Sequence, residues 1–247
     1  MDRPTEILRT RISLVDLLRG TALAAMVAYH FFWDLELFAL APLNVTGNPV
    51  WVASAWVIAS SFLALAGASL VLAHGQRLNA LSFLRRLAMI AAAAGVITLA
   101  SWFFEPGGII LFGILHCIAA ASVLGLIFLR APMPVIILTA AACFAAPALL
   151  TSPIFNAPGW LWLGLSSEPP PSNDYVPLLP WFGMVLIGIA AARMALAHTS
   201  KAEWPRWQPH SAAARMLAAA GRHSLAVYLV HQPVLLGVLW LVARFGR

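Results

Sequence analysis

The chain reads as an all-α fold, a polytopic integral membrane helix bundle of about seven transmembrane helices with a cytoplasmic N-terminus. Three observations lead there. Of its 247 residues, 62% are hydrophobic and only 10% are charged, where soluble domains carry about 25% charged residues. Seven apolar stretches are each long enough to cross about 30 Å of hydrocarbon. Arg and Lys gather in alternate connecting loops, which is the positive-inside pattern.

The spans lie near 13–33, 50–73, 86–104, 109–129, 133–150, 177–197 and 222–243. In the second, Ala59, Ser60, Ala64, Gly67 and Ala68 are small enough to let another helix approach closely. Only Glu105, Pro106, Gly107 and Gly108 separate the third from the fourth, a tight turn. Pro132, Pro134 and Pro147 crowd the ends of the fifth. Asp174, Tyr175 and Trp181 open the sixth, where interfacial anchoring is expected.

Basic residues lie on one side: Arg3, Arg9 and Arg11, then Arg77, Arg85 and Arg86, then Arg130, then Lys201, Arg206 and Arg215. The loops near 34–49, 105–108 and 151–176 hold Asp34, Glu36, Glu105, Glu168 and Asp174 but no Lys or Arg. The N-terminus is therefore expected in the cytoplasm and the C-terminus outside, despite Arg244 and Arg247. Asp16 and Arg19 interrupt the first stretch where a cleaved signal peptide needs its apolar core.

No linker or long-period repeat appears, so residues 1–247 read as a single transmembrane domain. The net charge of +6 sits beside apolar runs and is expected to set topology, with no nucleic-acid partner. Trp204 and Trp207, in WPRWQP, read as interfacial anchors among membrane lipids. The Pro-rich SSEPPPSNDY reads as an irregular external segment lying over a cavity. Cys117 and Cys143 read as buried, unpaired thiols, and no local ligand pair supports a metal.

The first span carries the chemistry. Asp16, Arg19, His30 and Asp34 recur at helical spacing, so Asp16 and Asp34 project alike with the other two within roughly 60°. Each such charge costs about 2.5–3.5 kcal/mol at the membrane centre, so a shared stripe is expected to face a polar cavity. Arg19 and His30 stand roughly 16 Å apart along the axis, a separation suited to joining a cytoplasmic ligand to an external one. Arg19 can hold a phosphate or carbonyl. His30 can serve as a general base, with Asp34 orienting its ring. The structural alternative pairs Arg19 with Asp16 and leaves His30 bonded to Asp34 or a backbone carbonyl.

His116, in FGILHCIAA, and His231, in YLVHQP, lie at membrane depth. Both are expected to line the cavity of His30, with His116 the nearer, and to position an acceptor or stabilise an oxyanion. Pro233 frees a carbonyl beside His231. His223, in GRHSL, begins the last span and is expected to cap it or to meet a cytoplasmic ligand. His74, His198 and His210 fall at the cytoplasmic edges and are expected to be solvated.

VDLLRGTALAAMVAYHFFWDL, SSFLALAGASL, FGILHCIA, DYVPLLPWFGMVLIGIA and GRHSLAVYLVHQP touch five of the seven spans. In this order they resemble the bacterial DUF1624 proteins, grouped with the catalytic domain of heparan-alpha-glucosaminide N-acetyltransferase. Related envelope O-acyltransferases carry Arg, ten residues, then His in their first helix, as Arg19 and His30 do here. The resemblance implies a membrane-bound acyltransferase taking acetyl-CoA or another acyl-CoA from the cytoplasm. Its acceptor would be an envelope glycan or similar polar group outside the bacterial inner membrane. The lysosomal heparan enzyme takes its catalytic His from the loop after the first helix. Here that loop, ELFALAPLNVTGNPV, has none, so the role falls to His30, His116 or His231.

Two other classes stay open: a proton-coupled transporter or flippase using the intramembrane His and Asp, and a noncatalytic membrane subunit, including a homo-oligomer. A transporter commonly shows an internal repeat with broken helices in matching halves, and none is visible.

Overall fold

The computed structural model describes residues 12–75, 77–198 and 208–246. Arg3, Arg9, Arg11, Lys201, Arg206, Trp204, Trp207 and Arg247 lie outside the described residues. Eight α-helices follow one another among the described residues: α1 (Ser13–Leu37), α2 (Pro49–His74), α3 (Ala80–Phe104), α4 (Ile114–Phe128), α5 (Met133–Leu150), α6 (Leu178–His198), α7 (Ala212–Arg222) and α8 (Ser224–Phe245). All but α4 and α7 are long and apolar enough to cross a membrane, giving six candidate spans. The protein is thus a multi-pass, all-α membrane bundle.

The count differs from the sequence expectation at the fourth span. Residues 109–113 do not continue the helix, because Gly113 holds an extended backbone (φ −95°, ψ −171°) before Ile114. The remaining 15 residues give only about 22 Å of helix. The segment near 198–221, expected as a loop, instead contains α7. It starts at Ser211, whose hydroxyl accepts from the Ala214 N–H at 3.1 Å, an ordinary N-cap. Its apolar face buries Ala218 and Gly221, whereas Arg215, Met216 and Arg222 are exposed.

The chain divides into two compact units. The first comprises Met1–Phe62 with Leu196–Arg247, and the second Leu63–Ala195. In the first unit α1 packs against α7 and α8. The α1–α7 approach depends on two glycines facing backbone. A Cβ on Gly20 would stand 1.9 Å from the Leu217 carbonyl oxygen, and one on Gly221 1.8 Å from that of Asp16. Beyond α1 the chain turns back through Ala39 and Asn44, both at positive φ. The Val45 N–H donates to Glu36 Oε2 at 2.6 Å, which ties the turn to its own helix.

In the second unit α3 packs on α4, and α2 meets α6 through Gly67 and Gly188. A Cβ on either would fall within 2.1 Å of a carbonyl oxygen, of Val185 and Ala64 respectively. Small residues of this kind bring helices together where lipid offers no hydrophobic drive. More than half of the apolar window of α6, 56%, is buried, against 11% for α3. Trp181, expected as an interfacial anchor, is buried at 8% exposure. Cys117 and Cys143 are free thiols and buried. Outward faces stay apolar, as at Phe103 and Phe104 on α3 and Leu138 on α5, the surface a lipid-facing helix presents.

Gly20→Ala or Gly221→Ala should destabilise the protein by at least the roughly 1–3 kcal/mol typical of overpacking. Thermal denaturation in detergent reads this as a lower midpoint. Gly95→Ala, whose Cβ meets nothing within 4 Å, should leave the midpoint unchanged or raise it.

Candidate functional site

The polar stripe of α1 is divided rather than continuous. Leu23 and Met26, 1% and 3% exposed, separate its two ends. At one end Arg19 Nη1 donates to Asp16 Oδ1 at 3.1 Å and to the Gly221 carbonyl at 3.4 Å. The guanidinium thereby clasps α1 to the end of α7, whose close approach Gly221 allows. Its fork suits this double duty. Arg222 and His223 lie beside this contact and are exposed. His223 joins the helices by its backbone: its N–H donates to the Ala220 carbonyl, and its own carbonyl accepts from Val227.

At the other end α1 meets α8. Asp34 is wholly buried, and its Oδ1 accepts from Gln232 Nε2 at 2.8 Å. The expectation that Asp34 orients His30 does not match this geometry. His30 Nδ1 instead lies 2.9 Å from the Met26 carbonyl, one turn back on the same helix. A ring nitrogen facing a carbonyl must carry the proton, so neutral His30 keeps its lone pair on Nε2. His231 follows the same rule, with Nδ1 2.6 Å from the Tyr228 carbonyl. The two imidazoles meet edge to face, their centroids 4.9 Å apart. Tyr29 flanks His30 at 5.8 Å and Trp51 at 6.2 Å, and Phe32 lies 5.1 Å from Trp51.

Three atoms of this cluster are buried without a hydrogen-bond partner among the described residues: Asp34 Oδ2, Gln232 Oε1 and His231 Nε2. Buried polar atoms are nearly always satisfied, and each exception asks for an explanation such as a functional role. Gln232 is the residue that sequence reasoning passed over. Only its place beside His231 and Pro233, opposite an Asp on α1, could have drawn attention to it.

His116 belongs to the second unit and is used differently. Its Nδ1 accepts from the Gly113 N–H at 3.2 Å, so its proton sits on Nε2. That nitrogen lies 3.2 Å from Thr98 Oγ1, which donates onward to the Ile110 carbonyl at 2.7 Å. Asp174 completes the start of α4 by accepting from the Ile114 N–H at 3.0 Å. Tyr175 donates to the Leu161 carbonyl at 2.6 Å, and burial pushes its phenol pKa up. The Pro-rich segment is tied to the α3–α4 turn by Asn173 N–H to Gly108 and Val176 N–H to Phe112. His198 and His210 are exposed. His74, expected to be solvated, is instead buried against Phe83, with ring centroids 5.7 Å apart. No group of three or more His, Cys, Asp or Glu among the described residues could hold a metal ion.

His116→Ala should cost about 1–3 kcal/mol, because it strands the buried Gly113 N–H. A thermal midpoint that stays unchanged while activity disappears would assign His116 to the chemistry instead.

Residues 11–233 match the family described as Heparan-alpha-glucosaminide N-acetyltransferase, catalytic. No curated protein and no solved structure matches the chain significantly. The match spans both polar ends of α1 and the start of α8 as far as Pro233. The chain belongs to the heparan-alpha-glucosaminide N-acetyltransferase catalytic family.

Proposed function

We propose that this membrane acetyltransferase-family protein moves an acyl group, acetyl by the family's name, from acyl-CoA to a polar acceptor, with His30 as the general base. The observation that carries the reading is the pinned tautomer of His30. Met26 holds the proton on Nδ1, so Nε2 offers a lone pair to the acceptor. His30 Nε2 takes the proton of the acceptor hydroxyl or amine as that atom attacks the thioester carbonyl. The C–S bond then breaks, and the departing thiolate recovers the proton from the imidazolium. Asp34, one turn further on, supplies the negative charge that favours that imidazolium.

The anionic part of the donor fits the opposite end of α1, where Arg19, Arg222 and His223 gather. The distance between the ends suits a donor and an acceptor that enter from different faces. We assign the donor to the cytoplasmic face and an envelope glycan to the outer face of a bacterial inner membrane, following the Arg and Lys distribution. His231 joins His30 at the acceptor end. His116, with both ring nitrogens engaged, serves here as scaffold for the start of α4.

A proton-carrying transporter draws support from the buried Asp34 and from Pro233 inside α8, and the same experiment separates the two. Purified protein with labelled acetyl-CoA and a panel of glycans should release CoA only when an acceptor is present. His30→Ala should reduce that rate by about 10²–10⁴-fold while folding and insertion persist. A variant retaining more than about half of wild-type turnover would rule His30 out as base. Absence of acceptor-dependent release across the panel would favour transport.

A further inference from the structure

Helices α2, α3 and α4 converge on a pocket within the second unit that shares no residue with the His30 cluster. Phe83, Arg86, Leu87 and Ile90 face it from α3, at the i, i+3, i+4, i+7 spacing of one helical face. His74, the last residue of α2, and Ser122 of α4 line it as well. Its depth has room for about one water-sized group.

Two observations mark the pocket as a ligand site. His74 is only 6% exposed, and its Nδ1 is buried with no hydrogen-bond partner among the described residues. The edge-to-face contact with Phe83 packs the ring but bonds neither nitrogen, and such a buried polar atom is costly unless paired. The second observation is charge. From Leu37 to Phe104, and again throughout α4, the chain has no Asp or Glu, whereas Arg77, Arg85 and Arg86 cluster where α2 gives way to α3.

The donors of the pocket decide what it takes. Ser122 donates its hydroxyl proton to the Ile118 carbonyl at 2.6 Å. The imidazole of His74 and the guanidinium of Arg86 therefore supply the donors, one N–H in either neutral tautomer and a fork of five. They suit an anion with two oxygens to offer. Arg86 is exposed on the helix whose apolar window is only 11% buried, and its neighbours Leu84 and Met89 are 57% and 52% exposed. The anion must therefore be at home beside hydrocarbon, at the depth where a span ends.

We propose that His74 and Arg86 bind the headgroup phosphate of an anionic phospholipid whose acyl chains run along the outer face of α3. One free phosphate oxygen enters the pocket and takes the His74 N–H, and the other takes the Arg86 guanidinium. Basic pockets between spanning helices favour anionic headgroups. A choline headgroup carries the same phosphate, but its ammonium would lie among Arg77, Arg85 and Arg86 with no carboxylate on these helices to receive it. By bridging the end of α2 to α3, the bound lipid also stabilises the folded protein.

The test uses the full-length protein in detergent, with lipid binding read by native mass spectrometry and stability by the thermal midpoint. The probes are phosphatidylglycerol, phosphatidylcholine with the same chains, and glycerol 1-phosphate as a soluble headgroup. Phosphatidylglycerol should bind at least about tenfold more tightly than phosphatidylcholine and raise the midpoint, while glycerol 1-phosphate should do neither. Arg86→Gln and His74→Gln should each reduce that preference to less than about threefold. Arg85→Gln, at an exposed neighbour that does not line the pocket, should keep it. If His74→Gln fails to elute as a monodisperse species, the contrast between Arg86→Gln and Arg85→Gln still decides.

Equal binding of the two lipids would overturn the site. So would equal losses in Arg85→Gln and Arg86→Gln, which would show a diffuse basic surface, or a well-folded His74→Gln that keeps full selectivity. Glycerol 1-phosphate as effective as phosphatidylglycerol would assign the pocket to a soluble phosphate and overturn the lipid.

Discussion

A polar atom within hydrocarbon has no water to bond with, so its partner must come from the protein. That constraint organises nearly every polar side chain described above. Arg19 is bonded to Asp16 and Gly221, and Arg193 on α6 reaches the Ala131 carbonyl. His116 closes a chain through Thr98 to Ile110. Even the hydroxyls of Ser61, Ser69 and Ser122 fold back onto carbonyls of their own helices. Against that background the unpartnered atoms at the α1–α8 junction stand out as a departure that stability alone does not explain.

Glycine governs whether these partners come within reach. Arg19 can bond to the Gly221 carbonyl because neither Gly20 nor Gly221 interposes a side chain between α1 and α7. The start of α4 follows the same logic. A Cβ on Gly113 would stand 2.3 Å from Asp174 Oδ2, so the carboxylate can cap Ile114 only because that position is bare. Close packing and hydrogen bonding are therefore one problem in this protein, solved at the same few residues.

The division of α1 gives the functional reading its shape. The Arg19–Asp16 pair and the His30–Asp34 end lie on one helix, with Leu23 and Met26 between them. The α-helix fixes their separation. Met26 has two tasks here, since its side chain fills the apolar turn while its carbonyl sets the tautomer of His30.

The sequence by itself determined the membrane class, the approximate spans, the free cysteines and the α1 residues worth examining. These depend on hydropathy and on a 3.6-residue period, both carried by neighbouring positions in the chain. It could not determine which nitrogen of His30, His116 or His231 bears a proton, because that depends on the carbonyl or N–H each ring meets. Opposite tautomers arise at His30 and His116, although both lie in apolar helices. The short α4, the buried Trp181 and His74, and the amphipathic α7 likewise depend on packing partners distant in sequence. Gln232 gained its significance only when α8 came to rest against Asp34, 198 positions away. A hydrogen bond over that sequence distance leaves no periodicity to read, so tertiary structure alone decided it.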